Sequence, residues 1–298
     1  MGFTIAASID EALSALAAGA RPIAGGSDLV VGARHGKAPL PGDLVAIDRI
    51  DALRGVCATD DGVAIGALTS HQALEIDPLI CATWPALADG SALVGSPATR
   101  NVGTLGGNVM NASPAMDTGA PLVVLDAQVE LRSLNGTRRL SVGDLWTGPG
   151  RTLAAADELC TVVHLATPAP RSSSAYLRLE YRRAMEIAVV GAAAAVTLAE
   201  DGTVASARLA LTAVAATILS ISGLDALTGR PVAEAAAIAR SLASEQARPI
   251  SDVRASDAYR RHTVGVMAGR ALEAAARRAS GEYIPVPCNR SIGIGAAS

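Results

Sequence analysis

The amino-acid sequence predicts an α+β fold, and two observations carry that prediction. In the first half of the chain, short apolar stretches typical of buried strands alternate with stretches of helical periodicity. In the second half, apolar runs at residues 187–198 and 204–211 are joined by Glu-Asp-Gly at 200–202, which favours a hairpin turn. Two alanine-rich helices, at residues 233–245 and 256–278, follow the hairpin, and strands followed by helices are typical of an α+β domain.

Capping and turn residues mark the elements of the first half. Ser8 and Glu11 are spaced as a capping box, and the helix that they predict ends before Gly19. Residues 97–121 are rich in Gly, Asn, Ser, Thr and Pro, so we expect a long loop there, of a length that often indicates a binding segment. The other expected elements are strands at 22–24, 44–47, 63–66, 128–132 and 158–165, a helix after Thr69, and a helix at 84–93.

Composition and charge exclude several classes of function. The 28 acidic residues slightly outnumber the 25 basic ones, and no basic run is present, so the chain lacks the electrostatic footprint of a nucleic-acid-binding protein. The longest uncharged run, residues 209–224, falls short of the roughly 20 apolar residues that cross a bilayer. The first residues do not follow the pattern of a signal peptide. We therefore expect no nucleic-acid partner, no membrane span and a cytoplasmic location.

The cysteines and histidines are not spaced as metal ligands. The residues concerned are Cys57, Cys81, Cys160 and Cys288, and His35, His71, His164 and His262. No CxxC or HExxH pattern occurs, so we expect isolated thiols of a reduced compartment and surface or structural histidines. The sequence thus predicts no metal site on this chain, and no catalytic acid, base or nucleophile stands out.

The first glycine loop, residues 23–29 (Ile-Ala-Gly-Gly-Ser-Asp-Leu), follows a predicted strand and precedes a predicted helix start. Gly25 and Gly26 lack a Cβ atom, so they can turn sharply and bring backbone N–H groups close to a ligand. Ser27 can add a hydroxyl donor, and a following helix end favours anions. This pattern suits a pyrophosphate, although an ordinary strand-to-helix turn has the same composition.

The second glycine loop, residues 101–108 (Asn-Val-Gly-Thr-Leu-Gly-Gly-Asn), continues into Asn-Ala-Ser-Pro-Ala-Met-Asp at 111–117. Glycines, asparagines and hydroxyl groups lie here beside apolar Val, Leu and Met, a mixture that suits a dinucleotide with charged and flat apolar parts. Asp117 could accept hydrogen bonds from sugar or ribityl hydroxyls. A solvated turn is the alternative. Neither loop has a P-loop or a Rossmann GxGxxG pattern.

The two loops and their surroundings resemble a known family, the FAD-binding medium subunits of the xanthine dehydrogenase and carbon monoxide dehydrogenase type. That family carries AGG-[TSQ]-[DS]-L near its N-terminus and T-[IL]-GGN about eighty residues later, as at residues 24–29 and 104–108 here. Further matching stretches, in the same order, are SPATRNVG at 96–103, NASPAMD at 111–117, WTGPGRTL with DEL at 146–159, RRAMEIAVV at 182–190 and DVRASDAYR at 252–260.

The resemblance implies a two-subdomain FAD-binding domain of the PCMH type, followed by an α+β C-terminal domain of the CO dehydrogenase flavoprotein type. The expected bounds are 1–172 for the first domain, with subdomains of about 1–55 and 56–172, then 173–284, and a tail at 285–298 that has little to anchor it. The cofactor would be FAD. The residues implied to bind it are Ile23, Ala24, Gly25, Gly26, Ser27, Asp28, Leu29, Thr104, Gly106, Gly107, Asn108, Ser113, Asp117, Leu159 and Arg178.

Three departures from the family pattern stand out. Arg178 occupies a position where members often have Lys, and it keeps the charge but not the shape of that side chain. Glu186 replaces the usual Asp, which adds one methylene. The common PVR-like stretch of the C-terminal domain is absent at residues 214–220, for which we have no account.

The resemblance also implies partners. A large subunit would carry a molybdenum–pterin centre and a small subunit two [2Fe–2S] clusters, in a dimer of heterotrimers, with electrons passing through FAD here to an external acceptor. Two alternatives are a self-contained PCMH-type flavin oxidase or reductase, and a non-catalytic assembly protein that has lost FAD. The sequence names neither the organic substrate nor the acceptor, because the substrate pocket would lie on another chain.

Overall fold

The computed structural model describes residues 2–36 and 39–292, which contain both strands and helices. The strands are β1 Gly2–Ile5, β2 Arg21–Ile23, β3 Asp43–Ala46, β4 Val56–Thr59, β5 Gly62–Gly66, β6 Gln128–Ser133, β7 Gly136–Ser141, β8 Trp146–Gly148, β9 Arg151–Thr152, β10 Leu159–Ala166, β11 Ser172–Leu179, β12 Val190–Leu198, β13 Val204–Thr212 and β14 Leu219–Ser220. The helices are α1 Ile9–Ala17, α2 Leu29–Arg34, α3 His71–Ile76, α4 Pro78–Thr83, α5 Pro85–Leu93, α6 Pro97–Val102, α7 Leu105–Asn111, α8 Gly119–Val124, α9 Val142–Leu145, α10 Val232–Gln246, α11 Asp257–Ala279 and α12 Cys288–Ser291.

The first unit of the fold comprises Met1–Ala73, Pro97–Ala112 and Ala127–Ala166. It contains a three-stranded parallel sheet in the order β1-β3-β2 and a five-stranded antiparallel sheet in the order β4-β5-β10-β6-β7. Strand β2 ends at Ile23, so the carboxyl end of this strand leads directly into the first glycine loop, which ends where α2 begins at Leu29.

Helix α1 shows why the local sequence folds as it does. Ser8 accepts a hydrogen bond from the Glu11 N–H at 3.2 Å, and the Glu11 carboxylate accepts one from the Ala7 N–H at 2.8 Å. The two residues therefore satisfy free amides at the helix start, as the capping-box spacing predicts. Leu13 and Leu16 then point into the core of this unit, and the chain turns away at Gly19, where φ is +94°.

The second unit comprises Leu74–Ser96, Ser113–Asp126 and Thr167–Ser298. Its antiparallel sheet has the order β11-β12-β13-β14, and the predicted hairpin of β12 and β13 is confirmed, with Gly202 in the turn at a φ of +83°. Helices α10 and α11 bury small residues against this sheet, among them Ala239 and Ala271. Alanine lets helix and sheet backbones approach closely, so a core poor in aromatic residues can still be densely packed.

One expectation about local structure was wrong, and some strands were not predicted. Residues 97–121 do not form one long loop, because α6, α7 and the start of α8 lie within them. Each of these helices is six or seven residues long, too short to show helical periodicity among the glycines and asparagines. The strands β7 and β11 were also not anticipated, since β7 is polar and β11 begins with three serines.

The C-terminal segment is better anchored than the sequence suggests. Cys288 and Asn289 are fully buried, and the Cys288 N–H donates to the Asp89 carboxylate at 2.8 Å. Residues 293–298 of the expected tail lie outside the described residues. In the described part of the chain, no helix is both long and apolar enough to cross a membrane.

Candidate functional site

The first glycine loop leaves a row of backbone donors open. After β2 the chain bends at Ala24 and Gly25, passes through Gly26 at a φ of +66°, and enters α2 at Leu29. Within the described residues, the N–H groups of Gly25, Gly26 and Ser27 donate no hydrogen bond. Because these residues are exposed or partly exposed, water can satisfy the donors, and so can an anionic ligand.

The two glycine loops lie against each other. A Cβ atom at Gly25 would stand 1.7 Å from the Val102 carbonyl oxygen, a distance that no side chain can occupy. A Cβ at Gly103 would stand 3.5 Å from the Ser27 hydroxyl oxygen, so Ser27 also faces the second loop. The absence of side chains at these glycines therefore permits the contact between the loops.

Several N–H groups of the second loop already donate hydrogen bonds within the first unit. Thr104 caps α7 by accepting from the Gly107 N–H at 3.1 Å, and the Gly106 N–H donates to the Ala67 carbonyl at 2.8 Å. The Asn108 N–H donates to the Thr104 carbonyl oxygen. Hydrogen bonds thus hold the second loop in place beside the first loop. The unused N–H groups belong to the first loop.

Gly106 and Gly107 are glycines for different reasons. A Cβ at Gly106 would lie 2.6 Å from the Ala67 Cβ, so packing against the end of β5 requires glycine there. Gly107 is exposed, and a Cβ there would meet only the Thr104 hydroxyl, at 2.9 Å. Its outer face is open, which leaves room for a ligand to approach the backbone.

His71 is a residue near the loops that the sequence did not single out. Its ring is 1 % exposed, its backbone N–H donates to the Gly103 carbonyl at 3.1 Å, and a Cβ at Gly103 would stand 3.3 Å from its Cδ2. Burial, together with the charge of Arg100, lowers the pKa of His71 to about 4. His71 is thus a buried structural histidine, but its Nδ1 makes no hydrogen bond among the described residues, so its ring is not fully satisfied as we expected. Ser70 and His71 lie far from the second loop in the sequence, so no sequence signal indicated this proximity.

The predicted residues Leu159 and Ser113 have side chains that are already engaged. Leu159 is 3 % exposed and packs in the core with Leu13 and Val45, so a cofactor contact there would have to come from its backbone. The Ser113 hydroxyl accepts from the Ala115 N–H at 3.3 Å and stabilises the turn after α7.

Asp117 and Arg178 form a buried cluster in the second unit. The Arg178 guanidinium, 0 % exposed, donates to Asp117 at 2.6 Å and to Glu180 at 2.7 Å. The Tyr176 hydroxyl donates to the other Asp117 oxygen at 2.9 Å. Burial opposes the charged guanidinium, but Asp117 and Glu180 outweigh it and raise the pKa of Arg178. Arg178 is therefore charged, and its planar fork bridges two carboxylates where a lysine would offer a single point charge.

In the part of the chain that the structure describes, no group of three or more His, Cys, Asp or Glu side chains could hold a metal ion. The arrangement at the glycine loops can instead bind a phosphate-bearing ligand through backbone N–H groups. Two glycine loops in contact within an α+β fold, one of them with unused N–H donors, favour the class of proteins that bind a phosphate-bearing cofactor.

Comparison with known proteins identifies the family. Residues 1–168 match the FAD binding domain in molybdopterin dehydrogenase, and residues 174–275 match the CO dehydrogenase flavoprotein C-terminal domain. The chain belongs to this family, and the resemblance and the fold class predicted from the sequence are confirmed.

Similar proteins extend over nearly the whole chain. A putative xanthine dehydrogenase FAD-binding subunit of Escherichia coli is 29 % identical over 93 % of this chain and 96 % of its own length. The carbon monoxide dehydrogenase medium chain of Afipia carboxidovorans is 32 % identical over 90 % of this chain and 92 % of its own. Among solved structures, carbon monoxide dehydrogenase from Hydrogenophaga pseudoflava superposes with a TM-score of 0.88 at 30 % identity, covering 93 % of this chain and 98 % of that one.

Proposed function

We propose that this chain is the FAD-binding electron-transfer subunit of a heteromeric molybdenum hydroxylase. The observation that carries the proposal is the row of open N–H donors at Gly25, Gly26 and Ser27, held against the second glycine loop by the close approach of Gly25 to Val102. The family membership supports FAD as the ligand of this site. When bound, FAD supplies the one- and two-electron redox chemistry.

The chain's own residues bind and orient the cofactor. We assign the pyrophosphate to residues 23–29, because three adjacent N–H groups can donate to its oxygens. We assign Thr104, Gly106, Gly107 and Asn108 to the side of the site that the second loop forms. The cofactor would approach the backbone most closely at Gly107. Helices α2 and α7 have only six and seven residues, so the individual N–H groups rather than a helix dipole account for the attraction.

We also propose that four further residues contribute to the cofactor site, namely Ser113, Asp117, Leu159 and Arg178. Asp117 still has free acceptor capacity on each oxygen, since each accepts one hydrogen bond from Tyr176 or Arg178. It can therefore accept from cofactor hydroxyls while Arg178 compensates its charge. We also keep the domain bounds of 1–172 and 173–284 as proposals.

We further propose a small [2Fe–2S] subunit and a large molybdopterin-binding subunit as partners, in a dimer of heterotrimers. The relatives named as medium or FAD-binding subunits support a multi-subunit assembly. A cytoplasmic location agrees with the four free cysteines, since such thiols persist in reducing compartments.

Native purification tests this proposal. The chain produced together with its neighbouring gene products should elute with a small iron–sulfur chain and a much larger chain that contains molybdenum. Elution of the flavin-loaded chain alone, with substrate oxidation by that chain, would instead support a self-contained flavin enzyme.

A further inference from the structure

The open edge of β11 is covered by side chains. This strand pairs with β12 on one side only, so alternate residues present backbone groups on the other side. The Tyr176 N–H donates to the Asp89 carboxylate at 3.1 Å, and the Ser174 carbonyl accepts from the Arg278 guanidinium at 2.9 Å. At Arg178 the cover is Asn289, which comes from the C-terminal segment.

The Asn289 side chain makes the two backbone hydrogen bonds that a residue of a neighbouring strand would otherwise make with Arg178. Its Oδ1 accepts from the Arg178 N–H at 2.9 Å, and its Nδ2 donates to the Arg178 carbonyl at 2.9 Å. Both residues are 0 % exposed, so water cannot substitute for either bond. The match to the C-terminal family domain ends at residue 275, and Asn289 lies beyond it.

The side chains of the same strand hold Asp117. Residues 176 and 178 lie on one face because side chains alternate along a strand, and both reach Asp117. The position of the Asp117–Arg178 pair therefore depends on the backbone at Arg178, and Asn289 fixes that backbone through both its N–H and its C=O.

We propose that Asn289 is a positioning residue for the Asp117–Arg178 pair and, through that pair, for bound FAD. This inference rests on the proposed assignment of Asp117 and Arg178 to the cofactor. The C-terminal segment thereby acts on cofactor binding as well as on the stability of the sheet.

The test compares FAD affinity with stability in three full-length variants. N289L removes both hydrogen bonds while it keeps the number and branching of the side-chain heavy atoms. R290A, in the same helix and exposed, is the matched control, and R178M is the reference for loss of the cation. Flavin is removed, FAD is titrated back by quenching of its fluorescence, and unfolding by urea is followed in parallel.

We expect N289L to raise the FAD dissociation constant roughly tenfold, a change in binding free energy similar to the net contribution of one hydrogen bond. R290A should stay within about twofold of wild type, and R178M should weaken binding at least as much as N289L. If N289L does not fold, N289D decides the matter, because it keeps the acceptor for the Arg178 N–H and should raise the constant by about threefold.

Wild-type affinity in N289L, with lowered stability and with weak binding in R178M, would overturn the role of Asn289 and leave the proposed function standing. Wild-type affinity in both N289L and R178M would overturn the assignment of Arg178 to the cofactor, and the inference with it. Binding of FAD by the wild-type chain is measured in the same titration and tests the proposed function separately.

Discussion

At the scale of single residues, the glycines of the two loops illustrate how one residue type serves distinct physical needs. Gly25 permits contact with the Val102 carbonyl, Gly106 permits packing on Ala67, and Gly107 leaves an open face. The motif pattern predicted all three as cofactor-binding positions. The pattern could not distinguish them, because the distances depend on residues 67 and 102, which come close only in the folded chain.

Replacing Gly107 with Val should yield a folded, flavin-depleted protein. The branched side chain would block the open face at the loop, and its Cβ would meet only the Thr104 hydroxyl. We expect FAD binding to weaken at least about tenfold, or about 1.4 kcal/mol. The measurement is the ratio of visible flavin absorbance to protein. Gly32→Ala is the control, since a Cβ there meets nothing within 4 Å; full flavin occupancy in the Gly107 variant would remove Gly107 from the site.

His71 should make stability depend on pH. Its folded pKa of about 4 lies below the unfolded value of 6.5, so the unfolded chain binds a proton first as the pH falls. The neutral ring of His71 therefore costs the folded state nothing above pH 6.5. The free energy of unfolding then falls progressively as the pH is lowered to about 4. Between pH 7.5 and 5 we expect a loss of about 2 kcal/mol from this group.

Urea unfolding of wild type and His71→Gln at several pH values checks this expectation. The Gln variant has no titrating ring, so its free energy of unfolding should fall less steeply over the same range. The substitution also changes packing at Gly103, and therefore the absolute stability. Only the difference between the two proteins in how steeply the free energy of unfolding falls with pH is diagnostic. Parallel pH curves for the two proteins would contradict the buried, neutral state of His71.

At the scale of elements, buried polar side chains rather than a further strand complete the edge of β11. Asp89, 0 % exposed, binds the Tyr176 and Cys288 N–H groups and pairs with Arg278 at 2.7 Å. One carboxylate thus joins α5, β11, α11 and α12. Such an edge cannot pair with a second chain, which protects the sheet from edge-to-edge association.

Replacing Asp89 with Asn keeps the shape but leaves the buried Arg278 charge uncompensated. We expect the free energy of unfolding to fall by about 3–5 kcal/mol, as for other broken buried ion pairs. Glu234→Gln is the control, because its pair with Arg230 is exposed and should contribute less than about 1 kcal/mol. Equal stability of the two variants in urea unfolding would mean that Asp89 does not hold these elements together.

The elements that the sequence predicted correctly have strong local signals. The capping box of α1, the Glu-Asp-Gly hairpin turn and the long alanine-rich helices each depend on residues close together in the chain. Strand β11, which the sequence did not predict, depends on its pairing with another strand. The serines that open β11 read as loop, and β11 is a strand because β12 pairs with it along its full length. Asn289 had no sequence signal at all, since its partner Arg178 is far away in the chain.

At the scale of the whole molecule, the chain carries the FAD-binding and flavoprotein C-terminal domains of its family. The role that we propose for it is electron transfer within an assembly whose partner subunits hold the other redox centres. We expect the isolated, FAD-loaded chain to accept electrons from artificial donors and to leave hydroxylase substrates untouched. Anaerobic bleaching of the flavin absorbance by dithionite, and by each candidate substrate, measures this directly. Bleaching by an organic substrate without molybdenum would contradict the electron-transfer role.

The central claim is that the two glycine loops bind FAD without a covalent link, and the identity and amount of released flavin test it most directly. The purified chain is precipitated with acid, and the flavin in supernatant and pellet is identified by chromatography. The account predicts one FAD per chain, all of it in the supernatant, because the loops offer N–H donors and open space. FMN in the supernatant, flavin retained in the pellet, or a chain that binds no FAD on titration would contradict it.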